Sequence, residues 1–235
     1  IPHRAVREPF MGSVRLKWWR ETLALPGAES AGHAVADAVR RAARQHGLPA
    51  ALLGGMVDAR EGELLPTPFD DNAALNEFLQ RTEGAHFALA CRIAGLGTRP
   101  DVEAACVAAG RAYGLARLLL GLPRSLALGR MPLAQTHVAA AGLTAQELLA
   151  GADVDKAEVL VRVHIAEIRG SLAEARRLAR ALPRPARTAF LPLALVESYV
   201  RLLEREGGGA LRAAPELMPL TRVWKVAVAH LLGRP

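Results

Sequence analysis

DVEAACVAAGRAYGLARLLLGLPRSLALGRMPL, residues 101–133, is the stretch that decides the fold of this 235-residue chain. Its first two thirds are rich in alanine and glycine, and we predict a helix over 101–122. Pro123 lacks an N–H and its ring clashes with the preceding turn, so this helix is expected to kink or end there. Small side chains let neighbouring helices approach closely, which places the predicted helix at the centre of the fold. The small residues are Ala104, Ala105, Ala108, Ala109, Gly110, Ala112 and Gly114.

The composition of the whole chain favours an all-α protein. Hydrophobic residues make up 51% of the sequence, and alanine, leucine and arginine recur while runs of β-branched residues are scarce, a balance typical of helices. The length is sufficient for one large or two small domains with a buried core. No segment alternates between apolar and polar residues as a half-buried strand does. We therefore predict a single all-α domain over 1–235, preceded by N-terminal helices that the given sequence does not include.

Eight further helices are predicted, and the clearest is the segment 153–182. Its apolar residues recur every three or four positions, which is the spacing of one helix face. Those residues are Ala157, Val161, His164, Ile168, Leu172, Ala175, Ala179 and Leu182. The remaining predicted helices cover 11–25, 33–45, 50–65, 70–96, 144–149, 184–206 and 216–232.

Capping and turn residues mark several of the boundaries. Pro26 and Gly27 are predicted to end the first helix. Asp70 or Asp71 is expected to cap the helix that follows it, and the sequence Thr-Ala-Gln-Glu at 144–147 predicts a capping box. Three consecutive glycines at 207–209 predict a flexible linker.

The net charge of +7 comes almost entirely from arginine. Such an excess is compatible with nucleic acid, an anionic lipid or a diphosphate as partner. The arginines are spread along predicted helices beside acidic residues, with few aromatic residues between them, a pattern typical of solvated helix faces. We therefore predict no nucleic-acid partner.

The two cysteines and the apolar runs limit the location of the protein. Cys91 and Cys106 have no paired-cysteine or histidine spacing, so a structural zinc site is not expected and a reducing, cytoplasmic compartment is. No apolar run reaches the roughly 18 uncharged residues of a membrane span, because Arg111 and Arg117 interrupt the most apolar stretch, 106–123. The protein is predicted not to span a membrane.

Five short segments share their order and spacing with a known family. They are REPFMGSVRLKWWRETL at 7–23, HAVA at 33–36, MVDARE at 56–61, TEG at 82–84 and GRAYGL at 110–115, followed by Gly129, Arg130 and Pro132. Over about 7–143 the chain resembles the squalene/phytoene synthase superfamily. It is most similar to a divergent branch that includes a mitochondrial assembly factor for respiratory complex I. The resemblance implies an isoprenoid-synthase-type helical bundle around a central apolar cavity.

The acids of the family's second metal-binding motif are missing from this chain. In catalytic members, as the resemblance implies, a helix carries Asn-x-x-Arg-Asp-x-x-Glu-Asp, and its carboxylates hold magnesium against a departing pyrophosphate. Here the acidic positions fall on Gly121, Arg124 and Ser125. A glycine, an arginine and a serine offer no carboxylate oxygen, so we predict that no metal binds there and that the usual activity is lost. The family's first acidic motif would precede Arg7.

Ten side chains are candidates for contact with a ligand or for lining the cavity. Four arginines could form one positive pocket for a phosphate or an acidic lipid head, while a surface role is the alternative for each. The tryptophan pair could line the cavity or pack internally. The acids of MVDARE could bind one metal or a polar head group, or form an internal network with arginine. The candidates are Arg15, Trp18, Trp19, Arg20, Asp58, Arg60, Glu61, Tyr113, Arg117 and Arg130.

Other polar residues are interpreted structurally. His86, His137 and His164 lack a common spacing, and His164 lies on the apolar stripe, where a hydrogen-bonded core histidine is expected. Asp153 and Asp155 are interpreted as helix-capping residues.

Together these observations predict a pseudoenzyme. The protein is expected to bind an isoprenoid or lipid, or to assist the assembly of a respiratory membrane complex by contacting one of its subunits. No cofactor is expected, and the location is predicted as cytoplasmic and peripheral to the inner membrane. The alternative is a magnesium-dependent farnesyl or geranylgeranyl transferase that condenses isoprenyl diphosphates head-to-head.

Overall fold

The computed structural model describes residues 8–25, 30–97, 99–151, 153–213 and 215–234. Every regular element in these ranges is helical, and they contain no strand. The all-α prediction is therefore confirmed. Contacts within the chain divide it into two compact units, residues 1–65 and 66–235. The prediction of a single domain stays a prediction.

In its described residues, 8–25 and 30–65, the first unit contains three helices and a short 3₁₀ turn. Helix α1 is Pro9–Ala24, α2 is Ala34–His46 and α3 is Ala50–Ala59, followed by the 3₁₀ turn Gly62–Leu64. Gly12 of α1 faces Leu64, because a Cβ at position 12 would lie 2.4 Å from the Leu64 Cδ2 atom. The predicted helix 50–65 was wrong in its last third, since the helix ends near a glycine, a poor helix former. The predicted stop at Pro26 and Gly27 lies outside the described residues.

The second unit contains ten α-helices within the described residues. The helices are α4 (Asn72–Leu79), α5 (Ala85–Ile93), α6 (Pro100–Leu120), α7 (Leu122–Ala127), α8 (Gln135–Ala140), α9 (Ala145–Ala150), α10 (Val154–Ala181), α11 (Arg184–Arg187), α12 (Val196–Glu206) and α13 (Pro219–Leu232). A π-helical turn, Gln80–Gly84, joins α4 to α5, and two 3₁₀ segments, Thr188–Leu195 and Gly207–Leu211, flank α12.

The core of the second unit is formed where α6 packs along α10. Four alanines of α6 are buried, namely Ala105, Ala109, Ala112 and Ala116, and all eight residues of the predicted apolar stripe on α10 and at its end are buried as well. The central position predicted for 101–122 is confirmed. His164 is fully buried, and its Nδ1 atom lies 2.8 Å from the carbonyl oxygen of Leu160. It is the hydrogen-bonded core histidine that the sequence predicted.

Glycines in α6 allow it to cross the π-helical turn at very short range. A Cβ atom at Gly110 would lie 2.4 Å from the backbone nitrogen of Gly84 and 2.5 Å from its Cα. A Cβ at Gly114 would lie 2.8 Å from the Leu79 Cδ2 atom. Because only glycine leaves room for this approach, the GRAYGL and TEG segments lie against each other in the fold.

One helical stretch among the described residues, Pro100–Ala127, is long and apolar enough to cross a membrane. Over half of its most apolar window, 56%, is buried inside the fold. That burial is typical of the core helix of a bundle.

The predicted caps are confirmed at three helix starts. Asp153 accepts hydrogen bonds of 2.8 and 3.3 Å from the backbone N–H groups of Asp155 and Lys156, and so caps α10, whereas Asp155 lies within the first turn and is not the cap. Asp71 accepts a hydrogen bond of 2.8 Å from the backbone N–H of Ala74, and so caps α4. Thr144 accepts one of 3.2 Å from the N–H of Glu147, whose carboxylate accepts one of 2.7 Å from the N–H of Thr144. This reciprocal pair is the capping box.

Two predictions near the end of the chain were wrong. The helix predicted over 184–206 is interrupted by a 3₁₀ segment that contains Pro192, which has no N–H to donate within a helix. The glycines at 207–209 do not form a flexible linker but begin a 3₁₀ turn. Gly208 is buried there, and its N–H donates a hydrogen bond of 2.6 Å to the carboxylate of Glu158.

Candidate functional site

The junction between α6 and α7 occupies the positions where the family motif would place its acids. Helix α6 ends at Leu120 and α7 starts at Leu122, with Pro123 in its first turn, which confirms the predicted break. Gly121 links the two helices and has no side chain. Ser125 donates its hydroxyl hydrogen to the carbonyl oxygen of Gly121 over 3.3 Å, and Arg124 is exposed.

The residues at this junction do not fit magnesium. Magnesium requires oxygen ligands in octahedral geometry, supplied in proteins by one or two carboxylates. Residues 115–133 contain no aspartate or glutamate. Among the described residues, no three histidine, cysteine, aspartate or glutamate side chains come together as metal ligands. The polar side chains at the junction are the Ser125 hydroxyl and the Arg124 guanidinium. The guanidinium has no lone pair for a metal, and its positive charge repels a cation.

One turn before the junction, α6 carries a polar group that faces the π-helical turn. Arg117 Nη1 lies 3.4 Å from the Glu83 carboxylate, and its guanidinium carbon lies 5.6 Å from the centre of the Tyr113 ring. The Glu83 side chain is only 12% exposed, while that of Arg117 is 36% exposed. The Arg117 guanidinium is therefore partly exposed to solvent, contacts a nearly buried carboxylate and lies over the Tyr113 ring.

Aromatic rings continue from this group into the core. The Phe87 ring centre lies 6.0 Å from that of Tyr113 and 5.6 Å from that of Phe190, and the Tyr199 ring centre lies 6.5 Å from that of Tyr113. We call Phe87, Tyr113, Phe190 and Tyr199 the aromatic cluster. Phe87, Phe190 and Tyr199 are buried and Tyr113 is half-buried, so the cluster joins four different segments inside the core of the second unit.

The charge near the aromatic cluster is set by two arginines and one acid. Burial raises the pKa of the Tyr113 phenol, and the positive charges of Arg117 and of Arg222 on α13 offset part of that rise. The Tyr113 hydroxyl therefore remains a neutral hydrogen-bond donor near neutral pH. Tyr113 therefore lies between the buried rings of the aromatic cluster and the positive charges of Arg117 and Arg222 that act on its hydroxyl.

The acids of the MVDARE segment pair with arginine inside the first unit. Arg20 of α1 donates to the Asp58 carboxylate over 2.5 Å and to the Glu61 carboxylate over 2.9 Å, and these bonds raise the pKa of Arg20. Arg60 donates over 3.0 Å to Glu63. This is the internal acid–arginine network that the sequence offered as one of two alternatives, and both acids already have a cationic partner.

The tryptophan pair packs around a histidine. The Trp18 and Trp19 ring centres are 5.2 Å apart, and they lie 5.4 and 5.2 Å from that of His33, the N-cap of α2. Trp18 remains 37% exposed. The two rings thus support the contact between α1 and α2.

Two further candidates are Arg15 and Arg130. Arg15 is exposed on α1. Arg130 is 8% exposed, and its backbone N–H donates over 2.9 Å to the Ser125 carbonyl oxygen, which closes the end of α7. The single pocket of four arginines stays a prediction.

Sequence reasoning missed five residues of the group in the second unit, namely Glu83, Phe87, Phe190, Tyr199 and Arg222. The TEG segment contained the signal for Glu83, because Gly84 and Gly110 are paired glycines that bring its neighbours against α6. Tyr199 and Arg222 belong to helices that the motifs did not cover.

The fold and the motifs define a helical protein of the isoprenoid-synthase type. The sequence profile of the squalene/phytoene synthase family matches residues 3–224, so this chain belongs to that family. Its fold is similar to that in the crystal structure of squalene synthase HpnC from Alicyclobacillus acidocaldarius, with a TM-score of 0.66. The two sequences are 19% identical, and the match covers 87% of this chain and 85% of that chain. No curated protein matches the chain.

Proposed function

We propose that this family member binds an isoprenoid or another lipid and does not ionise a prenyl diphosphate. The observation that carries the proposal is the replacement of the second acidic motif by Gly121, Arg124 and Ser125 at a junction where the helix itself is broken. Losing one preorganised electrostatic group commonly costs about 10²–10³ in rate. Losing all the carboxylates of the second motif removes one of the two acidic motifs that would hold magnesium against the departing pyrophosphate, so a larger cost is expected.

Tyr113 and Arg117 are the partly exposed members of this group, and together they suit a ligand with an apolar chain and an anionic head. The half-buried Tyr113 ring would contact the hydrocarbon chain. Arg117 supplies positive charge for the head, and Arg222 acts on Tyr113 in the same sense. The contact of 3.4 Å between Arg117 and Glu83 is longer than a strong charge-assisted bond, so a phosphate oxygen would compete well for the guanidinium.

A second candidate function is the head-to-head condensation of isoprenyl diphosphates by a magnesium-dependent transferase. Family membership favours it, as does the fold shared with a protein whose name is squalene synthase. The resemblance over 7–143 further leads us to propose a part in the assembly of a respiratory membrane complex. That role would be carried out from a cytoplasmic position peripheral to the inner membrane.

Calorimetric titration with farnesyl diphosphate, in magnesium and in chelator, tests the first proposal. We expect equal affinity in the two buffers, because no described carboxylate group is arranged to bridge a metal to the ligand. Arg117→Gln should weaken binding by at least about tenfold, the value of a hydrogen bond to a charged group. Arg111→Gln is the matched control, because Arg111 lies on the same helix and pairs instead with Glu167. Binding that requires magnesium would overturn the proposal.

A further inference from the structure

The last helix, α13, turns an apolar face away from the protein. Leu220, Val223, Trp224 and Leu231 are 79%, 68%, 71% and 83% exposed. On a helix they follow one another at intervals of three, one and seven residues, which places them on a single side. Ala229, on the other side, is the buried residue of this helix. We call these four exposed residues the outer face of α13.

The outer face is unusual because large apolar residues normally occupy the buried side of a surface helix. Single exposed apolar residues are common on proteins, but a contiguous set marks a contact surface. The inner side of the same helix packs through Val226 against the core of the second unit. Apolar side chains therefore occupy two sides of α13: the inner side packs against the core, and the outer face is exposed to solvent.

The charge around the outer face is mainly positive. Residues 216–235 contain one acid, Glu216 at their start, and include Arg222, Lys225 and Arg234. Residues 175–196, which contain α11, lack acids and include five arginines. A groove of about 340 Å³ brings the two segments together, with Arg184 and Arg187 on one wall and His230 and Leu231 on the other.

Two arginines of that groove, Arg184 and Arg187, form no ion pair with a carboxylate among the described residues. Arg187 donates instead to the backbone carbonyl oxygens of Leu182 and Arg180 over 3.0 and 2.7 Å. Hydrogen bonds to carbonyl groups fix the position of a guanidinium without neutralising it, so its charge remains available to an anion.

We infer that the outer face of α13 docks on an anionic phospholipid bilayer, with its apolar side chains among the acyl chains. Helices with an apolar face and flanking cations lie in the plane of the interface, and tryptophan favours the headgroup level. Arg184, Arg187 and Lys225 would contact lipid phosphates at the edge. A second copy of this chain fits less well, because symmetric pairing of this face would bring cation against cation.

Vesicle co-sedimentation tests this inference, with phosphatidylcholine alone and with a mixture of phosphatidylcholine and phosphatidylglycerol. We expect the protein to bind the mixed vesicles, and the bound fraction to fall in high salt. The double substitution Leu220→Asp with Leu231→Asp should weaken binding by at least about 100-fold, since each leucine loses its burial in lipid. Removing the charge of Arg184 by Arg184→Gln should weaken it about fivefold.

Val163→Asp is the matched control, because Val163 is 47% exposed on α10 and lies outside the outer face. All the substituted side chains are exposed, so we expect the variants to fold, and circular dichroism checks that they do. Equal binding to neutral and mixed vesicles would overturn the inference, and so would unchanged binding by the double variant. A dimer in sedimentation velocity that the double variant abolishes, without vesicle binding, would assign the face to a second copy instead. The inference does not rest on the proposed ligand site.

Discussion

Gly110→Ala is the substitution that most directly tests how the second unit is packed. The new Cβ atom would lie 2.4 Å from the nitrogen of Gly84 and 2.5 Å from its Cα, both in the backbone of the π-helical turn. A flexible side chain can relieve such a clash by changing its rotamer, but these backbone atoms can do so only if the main chain moves. Helix α6 and the turn must therefore separate by about 1 Å to restore ordinary contact distances near 3.5–4.0 Å.

Two opposing effects set the size of the change. Alanine is the better helix former, by about 0.8–1.0 kcal/mol. Overpacking of a close contact costs about 1–3 kcal/mol and occasionally more. Because all the clashing atoms belong to the main chain of the π-helical turn, we expect the upper part of that range and a net loss of about 2 kcal/mol. At about 2–4 °C per kcal/mol, the melting temperature should fall by about 4–8 °C.

Gly170→Ala is the matched control for this prediction. Gly170 also lies within a long helix, α10, but a Cβ there would have no atom within 4 Å. Only the propensity effect remains, so this variant should be more stable by about 0.5–1 kcal/mol. Thermal and guanidinium denaturation followed by circular dichroism measure both. The packing argument fails if Gly110→Ala is as stable as Gly170→Ala.

Three further predictions concern a cap, a buried histidine and the thiols. Thr144→Ala removes the side-chain acceptor of the capping box and should lower the free energy of unfolding by about 1 kcal/mol in urea titration; no loss would contradict the cap. Burial lowers the pKa of His164, so its contribution to stability is full above the unfolded value of about 6.5 and is lost as pH falls toward the folded value. His164→Gln should flatten that dependence in denaturation scans, and a slope like that of the wild type would refute its origin. Cys91 and Cys106 are buried with sulfur atoms 3.9 Å apart, so a thiol reagent should label them only after unfolding, whereas immediate labelling would contradict their burial.

The helices with regular periodicity could be predicted from the sequence. The apolar stripe of α10 repeats at helical spacing over eight turns of polar surroundings, and each of its members is buried. Asp71 and Thr144 were readable as caps because their side chains act on backbone groups only a few residues away. Such signals are local, and they do not depend on what the rest of the chain does.

Features that depend on distant contacts could not be predicted. Gly208 looks like part of a linker until Glu158, fifty residues earlier, accepts its N–H. The π-helical turn is set by the close approach of Gly110, a residue of a different helix. Phe87, Phe190 and Tyr199, the rings around Tyr113, likewise come from segments without a motif.

Pyrophosphate release is the measurement that tests the central claim most directly. The protein is incubated with magnesium and either farnesyl or geranylgeranyl diphosphate, beside a catalytically active squalene synthase as positive control. We predict release no faster than in buffer alone, because Gly121, Arg124 and Ser125 provide no carboxylate to hold the metal. Sustained release over many turnovers would contradict the account.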